Sequence, residues 1–313
     1  METRTDAPLL EVKDLSVSFQ MYESTLEQQE LKVISNLSIT VNRGEILAIA
    51  GSSGSGKSLL AHAVLGILPE NAKVQGVMRY QGQDLTPRRQ QKLRGREIAF
   101  VPQSISYLDP LMKVGKQVRG GKTGAQWLEA KRKIFKRYDL QPEVETMYPF
   151  QLSGGMARRV LVSTAVIGNA DFIIADEPTP GMHLDQALEA LKNFRELADE
   201  GKGVVLITHD IDLAFHFADK IAVFYAGTTV EIAPSQDFLE GVSALRHPYS
   251  KALWEALPQN GFRPIPGFQP YSKSLPPGCL FAPRCQQKSP ECEEKIPDMR
   301  ALRDGFVRCI HAT

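Results

Sequence analysis

The clearest chemical content in this chain lies in the run Gly51-Ser52-Ser53-Gly54-Ser55-Gly56-Lys57-Ser58. It matches G-x-x-x-x-G-K-[ST], in which bare glycines let backbone N–H groups approach phosphate oxygens. The residues before it, Glu45 to Ala50, read as a buried strand, and Leu59 to Leu65 read as the first turns of a helix. The loop therefore opens onto a helix N-terminus, whose partial positive charge favours an anion. Lys57 is expected to neutralise β- and γ-phosphate oxygens, and the Ser58 hydroxyl to ligate Mg²⁺. With these flanks the pattern predicts binding of a nucleoside triphosphate rather than an ordinary Gly/Ser turn.

Further polar residues follow the same logic. Phe172-Ile173-Ile174-Ala175 is an apolar run that closes on Asp176 and Glu177. A buried strand would fix Asp176 at its tip, ready to hold Mg²⁺ directly or through water. Glu177 would then be placed to polarise an attacking water as a general base. His209 ends the apolar run Gly203 to Thr208, where an imidazole could reach the γ-phosphate. Gln103 follows Ile98-Ala99-Phe100-Val101-Pro102 and could sense both Mg²⁺ and the attacking water. Each alone could be a solvated strand end. Together they sit at strand C-terminal ends, where open α/β sheets bind their ligands.

The elements that must position these residues can be read in order. Leu9 to Phe19 and Leu31 to Val41 alternate like strands, with a polar hairpin loop expected from Met21 to Glu30. Gly76 to Leu85 reads as a strand with a turn, and Arg88 to Arg96 as a basic helix-like segment. Val118 to Tyr148 carries a charged helical pattern, expected to be a helical subdomain (about 112–165) inserted in the core. Beyond Glu177, a helix over Gln186 to Glu200, the strand ending at His209, another helix and a strand at Ile221 to Phe224 complete an α/β alternation. The expected fold is an antiparallel β subdomain, a mostly parallel core sheet and the helical insert. The nucleotide-binding domain is expected over 1–257. Six prolines between Pro258 and Pro277 mark a linker into a cysteine-containing extension over 258–313.

Bulk properties narrow the class. The chain has 313 residues, 42% hydrophobic and 23% charged, which is the composition of a globular protein. A net charge of +1 gives no global argument for a nucleic-acid partner. No run approaches the ~20 apolar residues that span a bilayer. Glu2, Arg4 and Asp6 are unlike a signal peptide, so a cytoplasmic location is the expectation.

Leu152-Ser153-Gly154-Gly155-Met156 adds a second glycine turn opening a helix, and here the sequence resembles the ATP-binding cassette (ABC) family. The resemblance runs from residue 9 to about 240. It implies a P-loop NTPase cassette that works as a head-to-tail dimer, in which Ser153, Gly154 and Gly155 cap the γ-phosphate held by a partner's phosphate loop. It also implies an aromatic stacked on adenine, with Phe19 the candidate and Tyr22 its competitor. Two departures stand out. Arg158-Arg159 replaces the usual Gln-Arg after the signature. The segment Pro178-Thr179-Pro180-Gly181-Met182-His183-Leu184-Asp185 is two residues longer before its Asp than the family's usual form.

Two C-terminal stretches resemble the family's peptide/nickel importer group. They are His247-Pro248-Tyr249-Ser250-Lys251-Ala252-Leu253 and Pro276-Pro277-Gly278-Cys279-Leu280-Phe281-Ala282-Pro283-Arg284-Cys285. All four cysteines, Cys279, Cys285, Cys292 and Cys309, fall in this region with spacing C-x5-C-x6-C-x16-C. Four thiolates so close in sequence could enclose zinc or an iron–sulfur cube. Some members of the group carry a 4Fe–4S cluster here, which favours the cluster over zinc or free thiols. The resemblance thus implies the Mg-ATP-hydrolysing subunit of an importer for peptides, nickel or metal chelates, on the cytoplasmic face of the inner membrane. Its partners would be a second, related ATPase in a heterodimer, two transmembrane permeases and, through them, an extracytoplasmic binding protein, with no nucleic acid. The rivals are a catalytically impaired, nucleotide-gated partner cassette and a soluble cassette ATPase of DNA repair or translation.

Overall fold

The computed structural model describes residues 7–22 and 28–313. The chain opens with β1 (Leu10–Tyr22) and β2 (Gln28–Val41), paired antiparallel. The polar loop expected over Met21 to Glu30 is shorter than its composition suggests, because Met21 and Tyr22 lie opposite Gln29 and Gln28 in the ladder. Backbone hydrogen bonds sustain a strand whose side chains are all solvated. The middle of that stretch lies outside the described residues.

Next come β3 (Ile46–Gly51), α1 (Lys57–Leu65), β4 (Ala72–Tyr80), β5 (Gln83–Asp84), α2 (Pro87–Leu93) and β6 (Ile98–Val101). A four-stranded antiparallel sheet of order β2-β1-β4-β5 forms the expected β subdomain. The helical insert consists of α3 (Val114–Val118), α4 (Ala125–Arg137) and α5 (Gly154–Val166). It is less continuous than the charge pattern over Val118 to Tyr148 predicts. Gly120, Gly121 and Gly124 take φ of +56°, +74° and +110° between α3 and α4, a region other residues avoid. Pro142 and Pro149 then open 3-10 turns rather than extending a helix.

The core resumes with β7 (Phe172–Asp176), α6 (Leu184–Asp199), β8 (Gly203–Ile207), α7 (Ile211–Phe217), β9 (Lys220–Tyr225) and β10 (Thr228–Pro234). After α8 (Ser235–Glu240) and α9 (Pro248–Glu255), the chain ends in α10 (Glu291–Glu294), β11 (Arg300–Leu302) and β12 (Gly305–Val307). The large sheet has eight strands in the order β11-β12-β10-β9-β3-β8-β7-β6. From β9 to β6 it is parallel. Such strands are covered on both faces, which is why they read as continuous apolar runs. Leu47 and Ile49 of β3 point into the core shared with α1 and the antiparallel sheet. Ile46, Ala48 and Ala50 point into the core shared with the insert, α6 and α7.

The C-terminal extension is more closely joined to the cassette than a stapled appendix would be. Strand β12 pairs antiparallel with β10, so the extension continues the main sheet. Leu280, Phe281 and Ala282 are buried, and Leu280 and Phe281 belong to the main core. Arg308 donates to the carbonyls of Thr229 and Asn36, and Arg246 donates to the carbonyl of Leu302 at 2.8 Å. These contacts join segments far apart in sequence, so composition around Pro258 could not announce them.

His247 shows the cost of this burial. Its Nδ1 accepts the Tyr249 N–H at 3.0 Å, its own backbone N–H donates to Glu231 at 2.7 Å, and burial pushes its ring pKa down to about 3. The ring is neutral when folded and titrates near ~6.5 when unfolded. Its folded-state pKa is the lower one, so stability is held above pH ~6.5 and lost as pH falls toward ~3. Between pH 7 and 5.5 this group alone should cost about 1 kcal/mol. Denaturant unfolding of His247→Gln should show a pH dependence shallower by that amount. An unchanged slope would remove His247 from the account.

Candidate active site

Strand β3 delivers Gly51 to the edge of the sheet, and the chain then turns through Ser52–Gly56 into α1. Gly51 is required by close approach, since a Cβ there would lie 2.3 Å from the Phe224 carbonyl oxygen of β9. Gly56 caps α1 with φ +94°, and no carboxylate occupies the first turn to compete with an anion. Lys57 is buried, and its Nζ donates to the Gly51 and Ser52 carbonyls at 2.9 and 3.0 Å. Burial lowers its pKa, and the nearby carboxylates of Glu177 and Asp176 oppose that shift. The ammonium lies inside the loop, where charge-assisted bonds to phosphate oxygens are stronger than those to neutral carbonyls.

At the tip of β7, Asp176 is buried, and burial raises its pKa against the hydrogen bond from Ser58. Its Oδ1 is buried with no hydrogen-bond partner. A buried carboxylate oxygen left unpaired is costly. A hydroxyl beside an unsatisfied carboxylate oxygen is the hard, oxygen-only donor set that suits Mg²⁺, so the residues present fit that ion.

Glu177 leaves the strand at φ +46°, a left-handed conformation that costs a non-glycine residue ~1–2 kcal/mol. Its N–H bonds to the Ile207 carbonyl at 2.9 Å, which anchors the bend against β8. The bend aims the carboxylate between two neighbours. Gln103 Nε2 donates to Glu177 Oε2 at 2.7 Å, and His209 Nδ1 stands 3.5 Å from Oε1. Strand order explains the meeting. β6, β7 and β8 are adjacent and parallel, so the residues just past their ends converge.

Ser153 caps α5, its Oγ accepting the Met156 N–H at 3.3 Å. Ser153 and Gly154 are exposed, and a Cβ on Gly154 would meet nothing within 4 Å. This turn presents open N–H groups to the outside of the molecule. The segment after Glu177 is tightened by a Met182 N–H to Thr179 carbonyl bond at 3.2 Å. Helix α6 starts at Leu184 with His183 at its N-cap, so the late Asp185 lies inside the first helical turn. Phe19 is partly buried on the core of the β subdomain, whereas Tyr22 is exposed and accepts from Gln28.

Two residues near the phosphate loop escaped the sequence reading. Ser52 Oγ bonds to Gln269 in the proline-rich linker, and Tyr249 hydrogen-bonds to Ser52. Tyr249 packs on Tyr225 at 4.5 Å between ring centroids, and both contact Phe281. The only sequence signal was the His247-Pro248-Tyr249 stretch, which carries no phosphate chemistry of its own.

The four cysteines line one small pocket together with His247 and His311. None of them forms a disulfide, and burial raises the pKa of Cys279, Cys285 and Cys309. Among the described residues, no group of three or more His, Cys, Asp or Glu side chains stands at metal-holding spacing. The donor set suits a cluster in kind and lines one pocket, but its side chains are not drawn around a common point.

The family model described as ABC transporter matches residues 34–180, and that of the oligopeptide/dipeptide transporter C-terminal region matches 230–292. A Brucella melitensis protein named for peptide import and ATP binding is 34% identical, covering 97% of this chain and 95% of its own length. The oligopeptide transport ATP-binding protein OppD of Salmonella typhimurium is 32% identical, covering 98% of this chain and 96% of its own length. OppD of Mycobacterium tuberculosis is 36% identical over 97% of this chain, which spans 52% of that longer protein. A dimeric ATP-binding cassette solved in a post-hydrolysis state with ADP and Pi superposes with TM-score 0.64 at 25% identity, over 72% of this chain and 98% of that one.

Proposed function

This chain belongs to the ATP-binding cassette transporter family, and on that premise we propose that it powers a peptide importer. ATP would bind across the mouth of the phosphate loop, with Gly51 to Gly56 supplying N–H groups, Lys57 a cation and Phe19 an adenine platform. Ser58, Asp176 and Gln103 would hold Mg²⁺, which when bound neutralises charge on the phosphates. Glu177 takes the proton from a water as the water's oxygen bonds to the γ-phosphorus and the bond from that phosphorus to the ADP oxygen breaks. Gln103 and His209 hold the carboxylate and that water in place. Ser153, Gly154 and Gly155 act on the ATP of a second cassette, a related ATPase in a heterodimer.

The observation that carries the reading is the 2.7 Å contact of Gln103 with Glu177, flanked by His209 and set beside an unpaired Asp176 oxygen. It supports active hydrolysis over a nucleotide-gated cassette that has lost turnover. No helix among the described residues is long and apolar enough to cross a membrane. The transport path would therefore come from two permease subunits, with the chain peripheral on the cytoplasmic face of the inner membrane. An extracytoplasmic binding protein would select the cargo. Relatives named for peptide transport favour peptides over nickel or metal chelates. Cysteines 279, 285, 292 and 309 would ligate a 4Fe–4S cluster of structural role, a reading supported by their shared pocket.

One preparation tests the whole assignment. The complex, isolated anaerobically through this chain, should contain polytopic membrane proteins and hydrolyse ATP faster when peptide-loaded binding protein is added. It should also carry about four iron and four sulfide per chain. Stimulation by nickel but not peptide would overturn the cargo. Absence of membrane partners would favour a soluble ATPase, and absence of iron would leave the cysteines as thiols or a zinc site.

A further inference from the structure

Arg158 does not serve its own helix. It is buried on α5, and its Nη1 reaches across to donate to the carbonyl oxygens of Pro102, at 3.3 Å, and Gln103. Strand β6 ends at Val101, so the guanidinium grips the chain where it leaves the sheet. The gripped residue is the one whose amide holds Glu177. Arg158 forms no salt bridge among the described contacts, and Glu177 is the carboxylate whose charge it feels. A buried cation held only by two carbonyls is expensive for folding alone. Its position supplies a different reason. Helix α5 is a rigid rod that carries the exposed signature turn at Ser153 and, about 7–8 Å along its axis, Arg158.

We infer that Arg158 is a positioning residue that latches the signature helix to the segment bearing Gln103, so that Gln103 is held against Glu177 only while α5 is in register. One side chain would thus join the turn offered to a second cassette's nucleotide to the catalytic carboxylate of its own. Glutamine at this position would keep the donor chemistry with less reach and no charge.

The inference rests on the roles proposed above for Gln103 and Glu177, and its test separates the two. In the assembled complex Arg158→Met should lower kcat ~10–100-fold, the range expected for misplaced catalytic groups. KM for MgATP should stay within ~2-fold, because Arg158 does not touch the phosphate loop. Arg158→Gln should recover part of the loss and serves if the Met variant fails to fold. In a Gln103→Ala background, Arg158→Met should cost less than ~2-fold more, since the two act in series. A full, independent loss in that background, an unchanged kcat, or a rise in KM alone would overturn the latch. If Gln103→Ala and Glu177→Gln themselves leave turnover intact, the proposed catalytic roles fail first.

Discussion

Glu177→Gln is expected to cut MgATP turnover of the assembled transporter by ~10²–10⁴-fold, the contribution of a positioned general base. The substitution keeps side-chain length and can keep the acceptor for Gln103, so the local geometry is conserved. What disappears is the ability to take a proton from water. The left-handed backbone at residue 177, φ +46°, is unaffected because both residues bear the same Cβ. Affinity for MgATP should stay within ~3-fold, since on the proposed roles the phosphate loop and not this carboxylate would carry binding. The expected signature is a complex that binds ATP and stalls. Turnover within ~2-fold of the parent would show that another group accepts the proton.

Lys57→Ala should act on the other half of the cycle. In the structure the ammonium bridges two loop carbonyls. On binding it would exchange them for phosphate oxygens in a partly desolvated site, where charge-assisted bonds are stronger than neutral ones. Losing such bonds is worth ~2–3 kcal/mol, or ~30–150-fold in affinity for MgATP. Titration calorimetry with MgATP would measure it. The loss should be smaller for AMP, which offers no β- or γ-phosphate. Equal losses for both nucleotides would point to a collapsed loop rather than a missing charge.

How legible the site was depends on where each partner lies. Gly51 to Ser58 is local, with strand, loop and helix contiguous, so the pattern carried its own context. Asp176 and Glu177 were legible because an apolar run closing on two carboxylates sat in the company of the phosphate loop and the other strand ends. Gln103 and His209 were legible as strand ends, although their meeting at Glu177 needed the order β6-β7-β8. The helical insert was half legible. Its charge pattern marked α4 and the Gly154-Gly155 turn marked the start of α5, while Gly120 to Gly124 and Pro142 broke what the pattern joined. The C-terminal region was least legible. Proline content marked a linker, but strand β12 adds to β10 across a long stretch of chain, and no local signal encodes such a pairing.

Amino-acid order alone determined that this chain cradles a triphosphate and offers a signature turn, since both depend on contiguous residues whose backbone geometry glycine permits. It also determined which side chains could serve chemistry. Tertiary structure decided which of them meet. Parallel pairing brought Gln103 and His209 to the two sides of Glu177, and a buried arginine tied α5 to that group. Gln269 and Tyr249 were set behind Ser52 by the packing of the C-terminal segment. The physical reason is the same in each case. Hydrogen bonds and charge pairs depend on distance in space, and only the folded sheet converts separations of tens to hundreds of residues into a few ångströms.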